Sequence, residues 1–273
     1  MGNQELKEGI FSEIPARIDI SDVSVIYNNR PALDHVSLSV PHGLQVAVVG
    51  PNGAGKSTLF KLLVGLIHPD TGTIQIHSQP LGDDAYCVAY VPQREEVDLR
   101  FPVTVQEVIM MGRYRHYGLI RKPSQNDREI VRIAMKRLGI QKLANSSLNE
   151  LSGGQLQRVF LARAIAQEPH ILLMDEPFNG VDLSTQEATF ELLDELKKQQ
   201  VTVMVSTHDL NMAATRFEAI VLLRHRLIAY GKPAEVMKRE HLAAAFGEQL
   251  FMLDGAALVD HCCPPDSTEV NHL

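Results

Sequence analysis

With 273 residues, 45% of them hydrophobic, the chain can build a real core around one large domain or two small ones. Its 26 Lys+Arg against 33 Asp+Glu leave a formal charge of -7, a field that does nothing to attract a polyanion, so no nucleic-acid partner is expected. Glu5, Lys7, Glu8 and Glu13 exclude a secretory apolar segment at the start, and no apolar run approaches the ~20 residues that cross a bilayer, so a cytoplasmic chain that reaches a membrane only through a partner is expected.

Residues 18–27 and 35–40 alternate apolar with polar side chains and are bounded by Asn28-Asn29-Arg30-Pro31 and Pro41-His42-Gly43, which predicts an antiparallel hairpin with one wet face. Residues 44–49 are instead nearly continuously apolar, broken by Gln45 alone, and run into Gly50, and residues 56–65 follow with helical periodicity, as expected of a buried parallel strand feeding a helix. Strands follow at 73–77 and 87–91. From 94 to 150 the β pattern disappears, helical spacing takes over at 105–111 and 128–138, and Lys122-Pro123-Ser124 punctuates between them. Beyond 151 the chain alternates again. Helices are predicted to about 167, at 184–199 and at 210–216, with strands at 171–174, 201–206 and 219–223. The fold class is therefore α/β, a parallel sheet covered by helices plus an antiparallel β subdomain and an inserted helical subdomain.

Three stretches carry chemistry. Gly50-Pro51-Asn52-Gly53-Ala54-Gly55-Lys56-Ser57, followed by Thr58, fits G-x-x-x-x-G-K-[ST] without a departure. Its glycines let backbone N–H groups curl round a phosphate, Lys56 reaches the outer phosphates and Ser57 offers a magnesium ligand. The apolar strand 171–174 ends in Asp175 and Glu176, with Pro177 stopping it. Alone this describes any strand meeting solvent. Downstream of a phosphate loop it suggests Asp175 on magnesium and Glu176 on the attacking water. Leu151-Ser152-Gly153-Gly154-Gln155 opens a helix with Ser152 as N-cap and two glycines, a second anion cradle in a chain with one nucleotide-sized task.

Together these residues resemble the nucleotide-binding subunits of ATP-binding cassette (ABC) transporters, over roughly 18–247. The resemblance implies that Tyr27 stacks on adenine and that Gln93, in Tyr90-Val91-Pro92-Gln93, is a catalytic and magnesium-contacting glutamine. It makes Ser152, Gly153, Gly154 and Gln155 the signature loop, Asn179-Gly180-Val181-Asp182 the D-loop and His208 the switch histidine. It divides the chain into an extension 1–17, an ATPase core 18–93 and 151–247, a helical insert 94–150, and a tail 248–273 expected to be flexible. The cofactors it implies are ATP and Mg2+. The partners are a second copy bound head to tail, an integral membrane permease on the inner face of the membrane, and indirectly an extracytoplasmic substrate-binding protein.

Phe101-Pro102-Val103-Thr104-Val105, Met111-Gly112-Arg113-Tyr114 and Phe178 resemble the branch serving manganese, zinc and iron importers. Alternative cargoes are haem, siderophore or cobalamin. A soluble cassette working on DNA or ribosomes usually carries two cassettes or long coiled-coil insertions, whereas only 94–150 separates Gln93 from Leu151. A regulatory module without turnover would be expected to lack Glu176. Cys87, Cys262 and Cys263 are odd in number and without paired spacing, which argues against a disulfide framework. His261-Cys262-Cys263 and His272 have no closed zinc-site spacing and, beside Pro264-Pro265, read as tail.

Overall fold

The computed structural model describes residues 18–82, 87–93, 102–118, 121–247, 250–253 and 256–259. The expected extension 1–17, Phe101, and the tail residues His261, Cys262, Cys263 and His272 lie outside these. Strands β1 (Ile18–Tyr27), β2 (Arg30–Val40), β4 (Thr71–Ile76) and β5 (Gln79–Pro80) form an antiparallel sheet in the order β2-β1-β4-β5. The second sheet has six strands: β3 (Gln45–Val49), β6 (Val88–Val91), β7 (Ile171–Met174), β8 (Thr202–Thr207), β9 (Ala219–Arg224) and β10 (Arg226–Gly231), ordered β10-β9-β3-β8-β7-β6. All its neighbours are parallel except β10.

The parallel strands are apolar on both faces because both are covered. Val46 and Val48 of β3 enter a core shared with the antiparallel sheet and helix α1 (Lys56–Leu63), while Ala47 and Val49 enter the core on the other face. Leu173 and Leu172 of β7, and Met204 and Val203 of β8, divide in the same way. That is why these segments read as continuous apolar runs and β1 as an alternation.

Strand β2 begins at Arg30, five residues before the expected 35. Asn28 and Asn29 have φ of 49° and 61°, the pair of positive values a type I′ hairpin requires, and Tyr27 pairs with Arg30. A bulge then interrupts the strand at His35 (φ 53°), so buried Leu33 and Val36 lie three apart and the alternation breaks.

The expected insert contains α2 (Val105–Met111), α3 (Tyr114–Tyr117) and α4 (Gln125–Arg137) in its described part, but its core is not its own. Val105, Val108, Ile109, Ile130, Val131 and Ala134 merge with Leu156, Val159 and Phe160 of α5 (Gly153–Ile165), the helix that the signature loop opens. The join is close: a Cβ on Gly112 would stand 2.3 Å from the Arg163 carbonyl. Buried Arg113 ties the pieces together, donating to Asp127 Oδ1 (3.0 Å), the Ala166 carbonyl (2.9 Å) and Glu168 Oε2 (2.5 Å). Asp127 in turn closes the capping box of α4 with Ser124. Burial pushes its carboxyl up, but Ser124 and the Arg113 guanidinium outweigh this and hold it below its usual value. Gly112 and Arg113, part of the stretch that resembles the metal-importer branch, thus also serve internal packing. Phe178 likewise stacks on Phe190 of α6 (Leu183–Lys198), with ring centroids 4.7 Å apart.

Helices α7 (Leu210–Arg216), α8 (Pro233–Val236) and α9 (Arg239–Phe246) complete the far layer. Within the expected flexible tail, β11 (Leu250–Leu253) and β12 (Ala256–Val259) pair as an antiparallel hairpin, so that stretch carries regular structure.

Arg113→Ala leaves Asp127 and Glu168 without their cation and should destabilise the chain by about 3–5 kcal/mol. The loss is read as a lower urea midpoint at unchanged m-value. Arg132→Ala, which breaks only an exposed pair with Glu129, should leave the midpoint in place.

Candidate functional site

Parallel strands that end together present their last residues on one edge, where open α/β sheets bind ligands. Val91 pairs with Met174, Met174 with Val205, and Val49 with Thr207, so the residues after β6, β7, β3 and β8 share that edge. Gln93, Asp175, Glu176, the 50–58 loop and His208 are the residues in those positions.

The loop is shaped by close approaches. Gly55 caps α1 at φ 98°, and a Cβ there would lie 2.4 Å from the Ala32 carbonyl. A Cβ on Gly50 would lie 2.2 Å from the Leu223 carbonyl. The Ala54 carbonyl accepts from His225 N–H (2.8 Å), and the Ala54 N–H donates to the Pro51 carbonyl (3.1 Å). Asn52 and Gly53 are exposed at the tip, Gly53 with φ 79°, while Ser57 and Thr58 open the helix half-buried. Lys56 is 6% exposed, and its Nζ donates to the Gly50 carbonyl at 2.8 Å and the Pro51 carbonyl at 3.2 Å.

Opposite the loop, Asp175 is 1% exposed. Ser206 joins it to its neighbour: the Ser206 hydroxyl donates to Asp175 Oδ1 (2.5 Å) and accepts from the Glu176 N–H (2.8 Å). Tyr90 donates to Asp175 Oδ2 at 3.3 Å. Glu176 turns the chain with φ 45°, a left-handed conformation that costs a non-glycine residue about 1–3 kcal/mol and is held by that Ser206 contact. Its carboxylate then meets Lys56 Nζ at 3.5 Å, His208 Nδ1 at 2.9 Å and Asn179 Nδ2 at 2.6 Å. Burial pushes the Glu176 carboxyl up, but the Lys56 charge, the His208 contact and the Asn179 donor together hold it below the usual carboxylate range. A group held ionised in this way can accept a proton from a water placed against it.

Tyr27 ends β1 with its side chain exposed. It lies two residues beyond Val25, whose partner Leu33 touches the Gly55 position, so the hairpin tip rises beside the loop. The signature residues are not hydrogen-bonded to the phosphate loop. Ser152 caps α5, accepting from Gln155 N–H (3.3 Å) while Gln155 Oε1 accepts from Ser152 N–H (2.9 Å), and none of their hydrogen bonds reaches 50–58. Gly154 faces α6, where a Cβ would meet Thr185 Oγ1 at 3.2 Å, and Gly153 borders a small cleft with Asn179, Gly180 and Glu176. Asp182 caps α6, where the Ser184 hydroxyl, then the Thr185 N–H and hydroxyl, hold its carboxyl far below the usual range.

Sequence reasoning placed no role on Ser206 or Tyr90, and named Asn179 only as part of the D-loop, not as a donor to Glu176. β8 carries Thr202, Ser206 and Thr207 beside its apolar residues, so its sequence did not single Ser206 out.

The ABC transporter family matches residues 33–179. The manganese transport system ATP-binding protein MntB of Bacillus subtilis is 42% identical over 243 residues, 89% of this chain and 97% of that protein. The zinc transport system ATP-binding protein TroB of Treponema pallidum is 39% identical over 233 residues, 85% and 88% of the two chains. Among solved structures, a metal-chelate type ABC transporter in an inward-facing conformation is 28% identical with a TM-score of 0.74, covering 89% of this chain and 95% of that one.

The Glu176 arrangement has a measurable signature. Its folded-state pKa lies below the unfolded one, so it contributes stability above the unfolded value that is lost as pH falls through the folded value. Lys56→Met removes the opposing charge and leaves the burial, so the Glu176 pKa should rise in a carbon-13 NMR titration. Stability should also become less steeply dependent on pH in the acid range.

Proposed function

Because the chain belongs to the ABC transporter family, whose ATP-binding subunits hydrolyse ATP, we propose that it powers uptake of a transition metal ion through a separate membrane permease. The observation that carries this reading is the convergence of Lys56, Asp175, Glu176 and His208 on one edge of the sheet.

The backbone N–H groups of 53–58 wrap the β-phosphate at the start of α1, and Lys56 exchanges its carbonyl partners for the β- and γ-phosphates. Tyr27 supplies a stacking face for adenine. Glu176, already ionised, orients a water in line with the γ-phosphorus and takes its proton as the bond to the bridging oxygen breaks and ADP leaves. His208 and Asn179 hold that carboxylate. The donor set of the Ser57 hydroxyl, the Asp175 carboxylate and the Gln93 amide oxygen is all oxygen, which suits Mg2+. When bound with ATP, the ion neutralises charge on the transferring phosphoryl group. Asp175 is kept in place for this by Ser206 and Tyr90.

Among the described residues no hydrogen bond joins Ser152–Gln155 to 50–58 of the same chain, and in this reading they close over ATP held by 50–58 of a second copy packed head to tail. The permease seats on a groove where exposed Leu66, Met111 and Tyr114 meet Val64, Arg115 and Arg163. In this reading the chain sits on the inner face of the membrane through the permease; among the described residues no helix is long and apolar enough to cross. The metal cargo is supported by the relatives named for manganese and zinc transport. It reaches the permease from an extracytoplasmic binding protein and never touches this chain.

Glu176→Gln should bind ATP as the parent does while turnover falls by roughly 10²–10⁴, because the carboxylate acts on water rather than on the nucleotide. Lys56→Ala should lose nucleotide affinity itself, by about 1.5–3 kcal/mol for the charged contact. Wild-type turnover in Glu176→Gln, measured as phosphate release, would remove Glu176 from the reaction.

A further inference from the structure

The opposite edge of the parallel sheet carries a second group of reactive side chains. Cys87 immediately precedes β6 and His170 immediately precedes β7, and Val88 pairs with Ile171, so the two stand at adjacent amino ends in register. The backbone fixes them there: His170 N–H donates to the Cys87 carbonyl at 2.8 Å, and the His170 carbonyl accepts from Thr202 N–H at 2.9 Å. His77 arrives from the other sheet, in the turn after β4, with φ 55°. Its Nε2 lies 2.9 Å from His170 Nδ1, with ring centroids 5.0 Å apart and the planes at 79°. Cys87 packs against the core between the sheets, and all three side chains are half-buried. One ligand atom from each of the three lies within 4.8 Å of the others.

We propose that His77, Cys87 and His170 bind a zinc-class divalent cation that clasps the antiparallel sheet to the parallel one, at a site separate from the nucleotide edge.

The distances suit such an ion. Zinc bonds of about 2.0–2.1 Å to nitrogen and about 2.3 Å to sulfur put tetrahedral ligand atoms about 3.3–3.6 Å apart. The two imidazoles need to part by only a few tenths of an ångström, and the thiol, already within 4.8 Å of both, to close by no more than about 1.5 Å. The donor chemistry also selects. Two imidazoles and a thiolate favour zinc over magnesium, calcium or manganese, which prefer oxygen. The ion at this edge is therefore chemically distinct from any that accompanies ATP. Burial, with His77 beside it, lowers the His170 pKa and favours the neutral ring that ligates a metal. Three protein ligands leave a fourth position for water. The plain rival is a hydrogen bond between two imidazoles, in which Cys87 has no part. The thiol therefore decides between them.

The site is tested on the full-length, reduced, nucleotide-free chain with cobalt(II) as the probe, since a thiolate on cobalt gives a near-ultraviolet charge-transfer band and a tetrahedral site gives intense visible bands. Only Cys87, Cys262 and Cys263 can supply the sulfur. Wild type should bind one equivalent with both signals, zinc should displace the cobalt, and zinc should raise the melting temperature by a few degrees. The Cys262→Ser/Cys263→Ser double variant should keep both signals. Cys87→Ser should lose the charge-transfer band, and His77→Gln, a change at a half-buried turn position, should weaken cobalt binding at least about tenfold. Metal-free melting of each variant checks that it folds, and His77→Gln carries the comparison if Cys87→Ser does not. No bound cobalt in wild type, a signal that survives both Cys87→Ser and His77→Gln, or one that vanishes in the double tail variant while Cys87→Ser keeps it, would overturn the proposal.

Discussion

A buried ammonium ion needs close partners, and the way Lys56 finds them organises the nucleotide edge. Its partners come from three sources: carbonyls of its own loop, the Glu176 carboxylate after β7, and through Glu176 the His208 ring after β8. Each arrives at the right depth only because β3, β7 and β8 run parallel and in register, and the register depends on apolar side chains filling both faces of the sheet. Ser206 fastens the last joint, since one hydroxyl serves both the Asp175 carboxylate and the Glu176 N–H. The strained Glu176 backbone is the local cost of aiming its carboxylate at Lys56 instead of along the strand.

The second organising element is α5. Its first turn is the signature loop, its body fills the core beneath α2 and α4, and its end meets Arg113. A displacement of the helical layer is therefore a displacement of Ser152 and Gly153 as well. In the proposed cycle this couples permease to nucleotide: the groove beside Met111 and Tyr114 and the loop that covers a partner's ATP ride on one packed unit, joined where Gly112 touches the Arg163 carbonyl.

Much of the nucleotide edge was legible because its signals are local. The phosphate loop, the apolar strand ending in two acids and the Ser-Gly-Gly helix start each state their chemistry within a few residues. Ser206 was not legible in its role, because its partners lie 30 and 31 residues away and nothing in a strand sequence says which polar residue turns inward. The early start of β2 was hidden by the bulge at His35. Strand β10 was missed because it follows β9 after His225 alone, which turns at φ 58° without a glycine or proline to mark it. Arg113 and Phe178 were noticed as resemblance, yet their reason is packing that only the folded chain displays. His77, Cys87 and His170 are scattered across the sequence, and only sheet register brings them together.

The central claim is that the phosphate loop of one copy and the signature loop of another make one site, and mixing two disabled chains tests it most directly. One chain carries Lys56→Ala and the other Gly153→Asp, whose carboxylate repels the partner's γ-phosphate. In the mixed pair one composite site holds both lesions and the other holds neither. Phosphate release and trapped ATP are both counted, so that an intact site that closes without turning over still registers. The account predicts that the mixture traps or hydrolyses ATP well above either variant alone. A mixture no better than its parts, beside a wild-type pair that does both, would contradict it.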